Sequence, residues 1–263
     1  MTDNGGAPEP GTHRDERSIA DVLGRMTTLL DTMPESLESR RSFLATYLRT
    51  TRAVGASIRH GDFEDPAWVE AWDVAFADLY LDALESDLSS DQDRRAPRPW
   101  RLAFAAPEDL APLRHVLLGI NAHINYDLPQ ALLRVISDAE FADPALLASR
   151  ARDHERIDRV LSGRVAAEDA ELASQKTKSL VDRLLTPLNR SASTRFLREA
   201  RRKVWHNTLE LQRARLRSPE AYAVRLGELE VLSAARIADL LAPGQVLLRL
   251  AVAGFGVQLP PEA

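Results

Sequence analysis

Hydrophobic residues recur along this chain at spacings of three and four nearly everywhere, the period of an amphipathic helix. In 18–32, Ile19, Val22, Leu23, Met26, Leu29 and Leu30 share one face, and Pro34 ends the run. A second helix is predicted over 37–56, where FLATYLRTTRAV is strongly apolar on one side. Gly61 and Asp62 form a turn. A third helix spans 66–87, with Asp65 as its cap and Pro66 at an early helical position. The polar stretch 88–99 (LSSDQDRRAPRP) reads as a loop, a fourth helix runs over 107–136, and a fifth over 144–161. Ser162 and Gly163 break the pattern. A polar, weakly amphipathic helix follows over 164–186 and ends at Thr186–Pro187. Two more cover 193–216 and 219–241. Residues 244–263 (GQVLLRLAVAGFGVQLPPEA) read either as a short strand or as a turn-rich apolar lid. Strand signals are otherwise nearly absent and no fixed-period repeat exists. The predicted fold class is therefore all-α: a single-domain bundle of about eight helices over 17–263, with an internal pocket. Residues 1–16, rich in Gly, Pro, Asp and Thr without periodicity, read as a disordered tail.

One of these helices carries more polar groups than a core helix needs. The stretch HVLLGINAHINYDLP, 115–129, holds two histidines, two asparagines and an aspartate on an apolar background. Residues four apart share a helix face, so His115, Gly119, His123 and Asp127 form one stripe, with Asn121 and Asn125 pointing nearly the opposite way. Gly119 leaves a flat spot between the imidazoles where a backbone or ligand could approach. At about 1.5 Å rise per residue, His115 and His123 lie roughly 12 Å apart and cannot share one metal ion. His123 and Asp127, one turn apart, can. They can equally form an imidazole–carboxylate pair in which the acid fixes the tautomer and raises the basicity of the other ring nitrogen, the construction of a general base. A metal at His123 and Asp127 needs further ligands, with Asp73, Asp78, Asp153, His154 and Glu155 as the candidates. Pro129 complicates the reading. It cannot bond to the carbonyl of Asn125, so the helix is expected to kink there, and Asp127 either caps a new helix or serves the site.

Other polar groups on apolar helices belong to the same discussion. Thr51 and Tyr80, with Tyr47 and Thr50, offer hydroxyls to the interior, and Trp205 reads as core or as a pocket wall. His154 and Asp158 share a face and form a possible second pair. The arginines of FLREARRKVWHNTLELQRAR read as a solvated face. Trp100 in PRPWRLAF packs the loop before the motif helix.

Composition mainly excludes. The chain has 263 residues, no cysteine and a formal charge of −5. Thiol catalysis, zinc fingers, iron–sulfur clusters and disulfides are thereby ruled out, and no nucleic-acid surface is suggested. There is no secretory signal peptide and no run of about 18 apolar residues, so a cytoplasmic protein without a membrane partner is expected. A glycine-rich phosphate loop, G-x-S-x-G, G-x-G-x-x-G and H-E-x-x-H are all missing, so no nucleotide cofactor is expected.

Three stretches, FLATYLRTTRAV…GDFEDPAWVEAWDVAFADLYLDAL, PRPWRLAF and HVLLGINAHINYDLPQAL, together resemble a largely uncharacterised, mainly actinobacterial domain-of-unknown-function family with an H-x3-G-x-N-A-H-I-x2-D-L motif. The resemblance covers 41–136 well and the remainder more loosely. It implies a helical fold and marks His115, Asn121, His123 and Asp127 as signature positions, without a substrate. A weaker resemblance, histidines and aspartates on helices, is to zinc-dependent helical phospholipases, whose histidine-rich spacing is missing here.

These readings lead to one expectation with two alternatives. The expectation is a small-molecule enzyme, of bacterial specialised metabolism, with His115, His123 and Asp127 as catalytic groups and Asn121, Asn125, Thr51, Tyr80 and Trp205 against the substrate. Its chemistry is acid–base: cyclisation, isomerisation or elimination of a largely apolar molecule. The alternatives are a mononuclear metal-dependent hydrolase and a non-catalytic ligand-binding or structural helical protein.

Overall fold

A computed structural model of the chain describes residues 17–89, 95–110, 112–172, 187–244 and 254–261. The expected tail, 1–16, lies outside them. Helix α1 (Ile19–Thr32) opens with a capping box in which Ser18 and Asp21 satisfy each other's backbone N–H. A 3₁₀ turn (Glu35–Leu37) leads into α2 (Glu38–His60), which stops at Gly61 in the left-handed region, φ 82°. In α3 (Pro66–Leu88) the Asp65 carboxylate accepts the N–H of Trp68 and Pro66 opens the first turn. Helix α3 is buried on nearly all sides, and α1, α2, α4 (Arg98–Phe104) and α6 (Leu128–Val135) pack around it. Helix α5 (Pro112–Ala122), a π-helical turn (His123–Asp127) and α6 (Leu128–Val135) follow as one helical stretch. The short α7 (Asp138–Ala142), then α8 (Pro144–Leu172), α9 (Pro187–Arg217) and α10 (Pro219–Leu241) complete the bundle.

The protein is thus an all-α multi-helix bundle, and among the described residues no helix is long and apolar enough to cross a membrane. The α9–α10 hairpin lies over α4, α5 and α6, so the α5–α6 stretch sits between α2–α3 on one side and α9–α10 on the other. This is why a helix rich in polar groups is buried on both faces.

Several boundaries differ from the sequence reading. The predicted loop over 88–99 ends early: Arg98 and Pro99, with residues 100–104 that were assigned to no element, form α4, which buries Trp100 against Phe104 and Tyr80. Ser162–Gly163 does not break α8. A helical glycine costs about 1 kcal/mol against alanine, too little to stop a helix that continues into RVAAEDAEL. Of the predicted helix over 164–186, the part 164–172 extends α8 and the rest lies outside the described residues. Helix α9 begins six residues earlier than expected, at Pro187. The described part of the C-terminal tail, 254–261, is neither strand nor helix. It is an extended strap, and Phe255, Val257 and Leu259 are buried in the bundle. The remainder, 245–253, lies outside the described residues.

Candidate active site

Pro129 shapes the site. An α-helix would set its ring against the carbonyl of Asn125. The chain avoids this by widening one turn: the N–H of Leu128 donates to the carbonyl of His123, five residues back. Ala122, Asp127 and Leu128 all keep right-handed helical backbone angles. The expected interruption near Asn125 is therefore a π-bulge inside a continuous helix. Nor does Asp127 cap α6, since its side chain makes no capping bond. Its carboxylate is engaged elsewhere.

Asp127 Oδ2 lies 2.9 Å from His123 Nδ1 and accepts the indole N–H of Trp100 at 2.8 Å. Indole is only a donor, so Oδ2 accepts from Trp100; with the Asp127 carboxylate ionised, Oδ2 accepts from the ring as well and the His123 proton sits on Nδ1. His123 Nε2 is left with its lone pair. That atom is buried and has no hydrogen-bond partner. Burial pushes the imidazole below its usual pKa, against the pull of Asp127, so the ring is neutral near pH 7. Burial also pushes the Asp127 carboxyl upward, while the His123 and Trp100 donors oppose the shift.

Five aromatic rings enclose the imidazole. Phe76 stacks on it at 3.5 Å and 4°. Tyr47 meets it edge-on at 4.6 Å, and Tyr80, Trp100 and Phe43 lie at 5.8, 5.9 and 6.2 Å. Tyr47 and Thr51, one turn apart on α2, bring their hydroxyls together, and neither has a partner beyond that pair. The Tyr80 hydroxyl and Asp73 Oδ2 are buried without partners. Desolvation, helped by the charge of Glu70, raises the Asp73 carboxyl to about 7. Tyr47 feels the charges of both Asp73 and Asp127, which places all these groups in one neighbourhood. Each unsatisfied buried polar group costs about 1–3 kcal/mol, and folded proteins contain few of them.

Thr51 and Tyr80 thus lie where the sequence reading put them, near the His123–Asp127 pair. Four other expectations are corrected. His115 does not join the pair; it lines a separate cleft with Ser39, Arg40, Ala103 and Phe104, of about 10 Å³, room for one water. The flat spot at Gly119 is filled by the Phe43 ring, which would stand 2.5 Å from a Cβ placed there. That ring lies between His115 and the imidazole, because small residues in a buried helix attract large neighbours. Asn121 and Asn125, expected against the substrate, do point away from His123 as their spacing implied, and their amides hold the strap by the carbonyl of Phe255. Trp205 packs against His154, with ring centroids 5.5 Å apart, and not against His123.

The candidate metal ligands scatter. Asp153 accepts the backbone N–H groups of Glu64 and Asp65 and pairs with Arg156, fixing the turn before α3. His154 is sandwiched between Trp72 and Trp205, and burial with the nearby Arg201 pushes its pKa far down. Asp78 pairs with Arg17 and Arg25, and the side chain of Asp158 lies outside the description. Among the described residues no three His, Asp or Glu side chains converge. His123 and Asp127 come together without a third ligand.

Trp100 as the partner of Asp127, Phe76 as the cover of His123 and Asp73 as an unpaired acid of the site were not singled out from the sequence. Twenty-seven positions separate Trp100 from Asp127, and no periodicity links them. A usable signal was chemical: a buried indole needs an acceptor, and Asp127 is a buried acid on a nearby helix.

No curated protein and no solved structure matches the chain. A family model does match, over residues 19–243, which takes in every element that builds the His123–Asp127 pair and its aromatic surround. The chain belongs to DUF5995, a family of unknown function.

Proposed function

We propose that this protein is an acid–base enzyme acting in the cytoplasm on a small, largely apolar molecule, with His123 Nε2 as the atom that moves the proton. One observation carries the reading. The Trp100–Asp127–His123 relay fixes the imidazole as a neutral base and leaves its second nitrogen unpartnered among further unpaired hydroxyls. Structural polar networks close their bonds; this one leaves them open on one side.

In this reading Asp127 keeps Nδ1 protonated and stabilises the imidazolium formed when Nε2 takes a proton from a C–H of the substrate. The Tyr47 and Tyr80 hydroxyls, held neutral by burial, donate hydrogen bonds to the oxygen or nitrogen that gains charge. Return of the proton at another atom is an isomerisation or a cyclisation, and loss of a leaving group is an elimination. Entry is over Phe76, the ring that covers the imidazole and is itself only partly buried. No nucleic-acid or membrane partner belongs to this proposal.

The test is the ring-opening of 5-nitrobenzisoxazole, an apolar probe with one acidic C–H. Wild-type protein accelerates it, Phe76→Ala accelerates it further by uncovering the base, and His123→Ala and Asp127→Asn lose the effect. Equal rates for wild type and His123→Ala sink the proposal.

A second reading rests on the close stacking of Phe76 on His123: the pair as a non-catalytic lock between α5–α6 and α3. It is distinguished by His123→Ala lowering the Tm with no change in the chemistry of the probe.

A further inference from the structure

The strap is held along both edges by side chains from the helices. In an extended segment, the N–H and C=O of alternate residues point to the same edge. On one edge, the Asn125 amide donates to the Phe255 carbonyl at 3.2 Å and accepts the Val257 N–H at 3.1 Å. The Asn207 amide repeats the pattern one step on, donating to the Val257 carbonyl at 3.0 Å and accepting the Leu259 N–H at 2.9 Å. His206 reaches the Leu259 carbonyl at 3.2 Å. On the other edge, Glu199 accepts the Gly256 N–H at 3.3 Å, and Lys203 donates to the Gly256 carbonyl at 3.1 Å. Arg225 closes the end on the carbonyl of Pro260.

Two asparagines therefore do what a neighbouring strand would do, each matching a C=O and N–H two residues apart. Every one of these contacts comes from a residue at least 35 positions away. The clamp is also set in advance, because Asn125 donates to Asn121 Oδ1 at 2.7 Å. Main-chain bonds combined with alternating side-chain sockets are how proteins bind extended peptides. The sockets here are selective. Phe255, Val257 and Leu259 are buried, and Gln258 and Pro260 are exposed. A Cβ at Gly256 would stand 2.7 Å from the Cα of Ala200.

We propose that the channel between the α5–α6 stretch, α9 and α10 is a peptide-binding groove, and that residues 254–261 are its tethered occupant. The ligand in trans is an extended peptide of the pattern aromatic–Gly–aliphatic–any–aliphatic–Pro. The three alternate side chains give specificity, the glycine allows the approach to α9, and the two asparagines read the backbone. The tether competes with free peptide at an effective concentration of about millimolar.

The test uses full-length protein carrying Val257→Asp and Leu259→Asp, which places carboxylates in two apolar sockets and empties the groove. Fluorescein-labelled GFGVQLPP is titrated and followed by polarisation. The double variant binds saturably, and the wild type does not bind at the same concentrations. Binding weakens by more than about tenfold when Asn207→Ala is added, or when the central glycine of the peptide is replaced by leucine. A double variant that melts cooperatively yet binds no peptide overturns the proposal, as does binding indifferent to both changes. If the double variant fails to fold, hydrogen exchange of the wild type decides. Val257 and Leu259 amides exchanging more than about tenfold faster than buried α9 amides uphold a separable occupant. Exchange in step with α9 overturns it, because the strap then opens only with the whole fold. None of these readouts depends on the chemistry at His123.

Discussion

The two faces of the α5–α6 helix carry similar polar cargo and treat it in opposite ways. On the face toward α9 and α10, Asn121 and Asn125 close their hydrogen bonds on each other and on the strap. On the face toward α2 and α3, Asp127 Oδ2 is held by His123 and Trp100, yet His123 Nε2, Tyr80 and Asp73 keep polar atoms unpaired behind aromatic rings. Burial is equal on the two sides: Asn125 is 0% exposed and Asp127 1%. The difference is whether the partners are supplied from within the chain. A closed network specifies packing, and an open one stores a cost that a substrate or ligand can relieve.

The largest expected effect tests whether the open face still depends on its one closed relay. Trp100→Ala removes a fully buried ring and the donor to Asp127, and is expected to destabilise by about 3–5 kcal/mol, read from chemical denaturation. Trp100→Phe keeps most of the volume and removes only the N–H, for a loss of about 1–3 kcal/mol. If Trp100→Phe is neutral, the indole bond does not hold Asp127, and the contrast between the faces collapses.

On the closed face, Asn207→Ala leaves the Val257 carbonyl and the Leu259 N–H unpaired, and is expected to cost about 1–3 kcal/mol. Loss of protection at the Leu259 amide in hydrogen exchange, with α3 unaffected, locates the effect. An unchanged Leu259 amide would show that the asparagine is a bystander.

Much of this was legible from the sequence and part of it was not. The long apolar periods of α1, α3 and α10 gave their helices to within a few residues, because burial and periodicity report the same face. The His123–Asp127 pair was visible as a four-residue spacing, and the opposite orientation of Asn121 and Asn125 followed from the same geometry. Pro129 announced a disturbance in the helix. Whether the chain would cap or widen depended on partners for the Asp127 carboxylate, and those come from Trp100 on another helix. Gly119 showed a vacancy without showing that Phe43 fills it. The tail 244–263 read equally as a short strand or a turn-rich lid; that part of it is an extended strap paired by asparagine side chains rather than by a strand is a tertiary fact.

The pH dependence sharpens the comparison further, since the open face carries opposed titrating groups. His123 is held below its usual pKa by burial, and so are His115 and His154 elsewhere in the bundle. Below the unfolded value, near 6.5, the unfolded chain takes up protons that the native state refuses, so these three residues lower stability as pH falls. Asp73 acts with the opposite sign: raised to about 7, it stays protonated in the native state over pH 5–7 while the unfolded chain has released that proton. Its contribution therefore fades as pH rises through about 7. The wild type is expected to lose stability between pH 7 and 5, and Asp73→Asn to lose it more steeply, by roughly 1.4 kcal/mol per pH unit for the proton removed. Parallel profiles for the two proteins would mean that Asp73 titrates normally and is paired.

The smallest effect separates the faces most cleanly. Tyr80→Phe deletes one hydroxyl and keeps the ring that packs against Trp100 at 4.9 Å and Phe43 at 5.0 Å. A paired buried hydroxyl contributes about 1 kcal/mol, so its loss lowers the Tm. An unpaired one destabilises the native state, because it leaves water without gaining a partner, so its removal leaves stability unchanged or raises it by up to about 1 kcal/mol. The second outcome is expected, together with a slower reaction of the 5-nitrobenzisoxazole probe. A stability gain accompanied by lost chemistry is the signature of a group kept for function, and no packing role gives that combination. A lower Tm with unchanged chemistry would place Tyr80 in a closed network after all, and would leave the two faces of the helix alike.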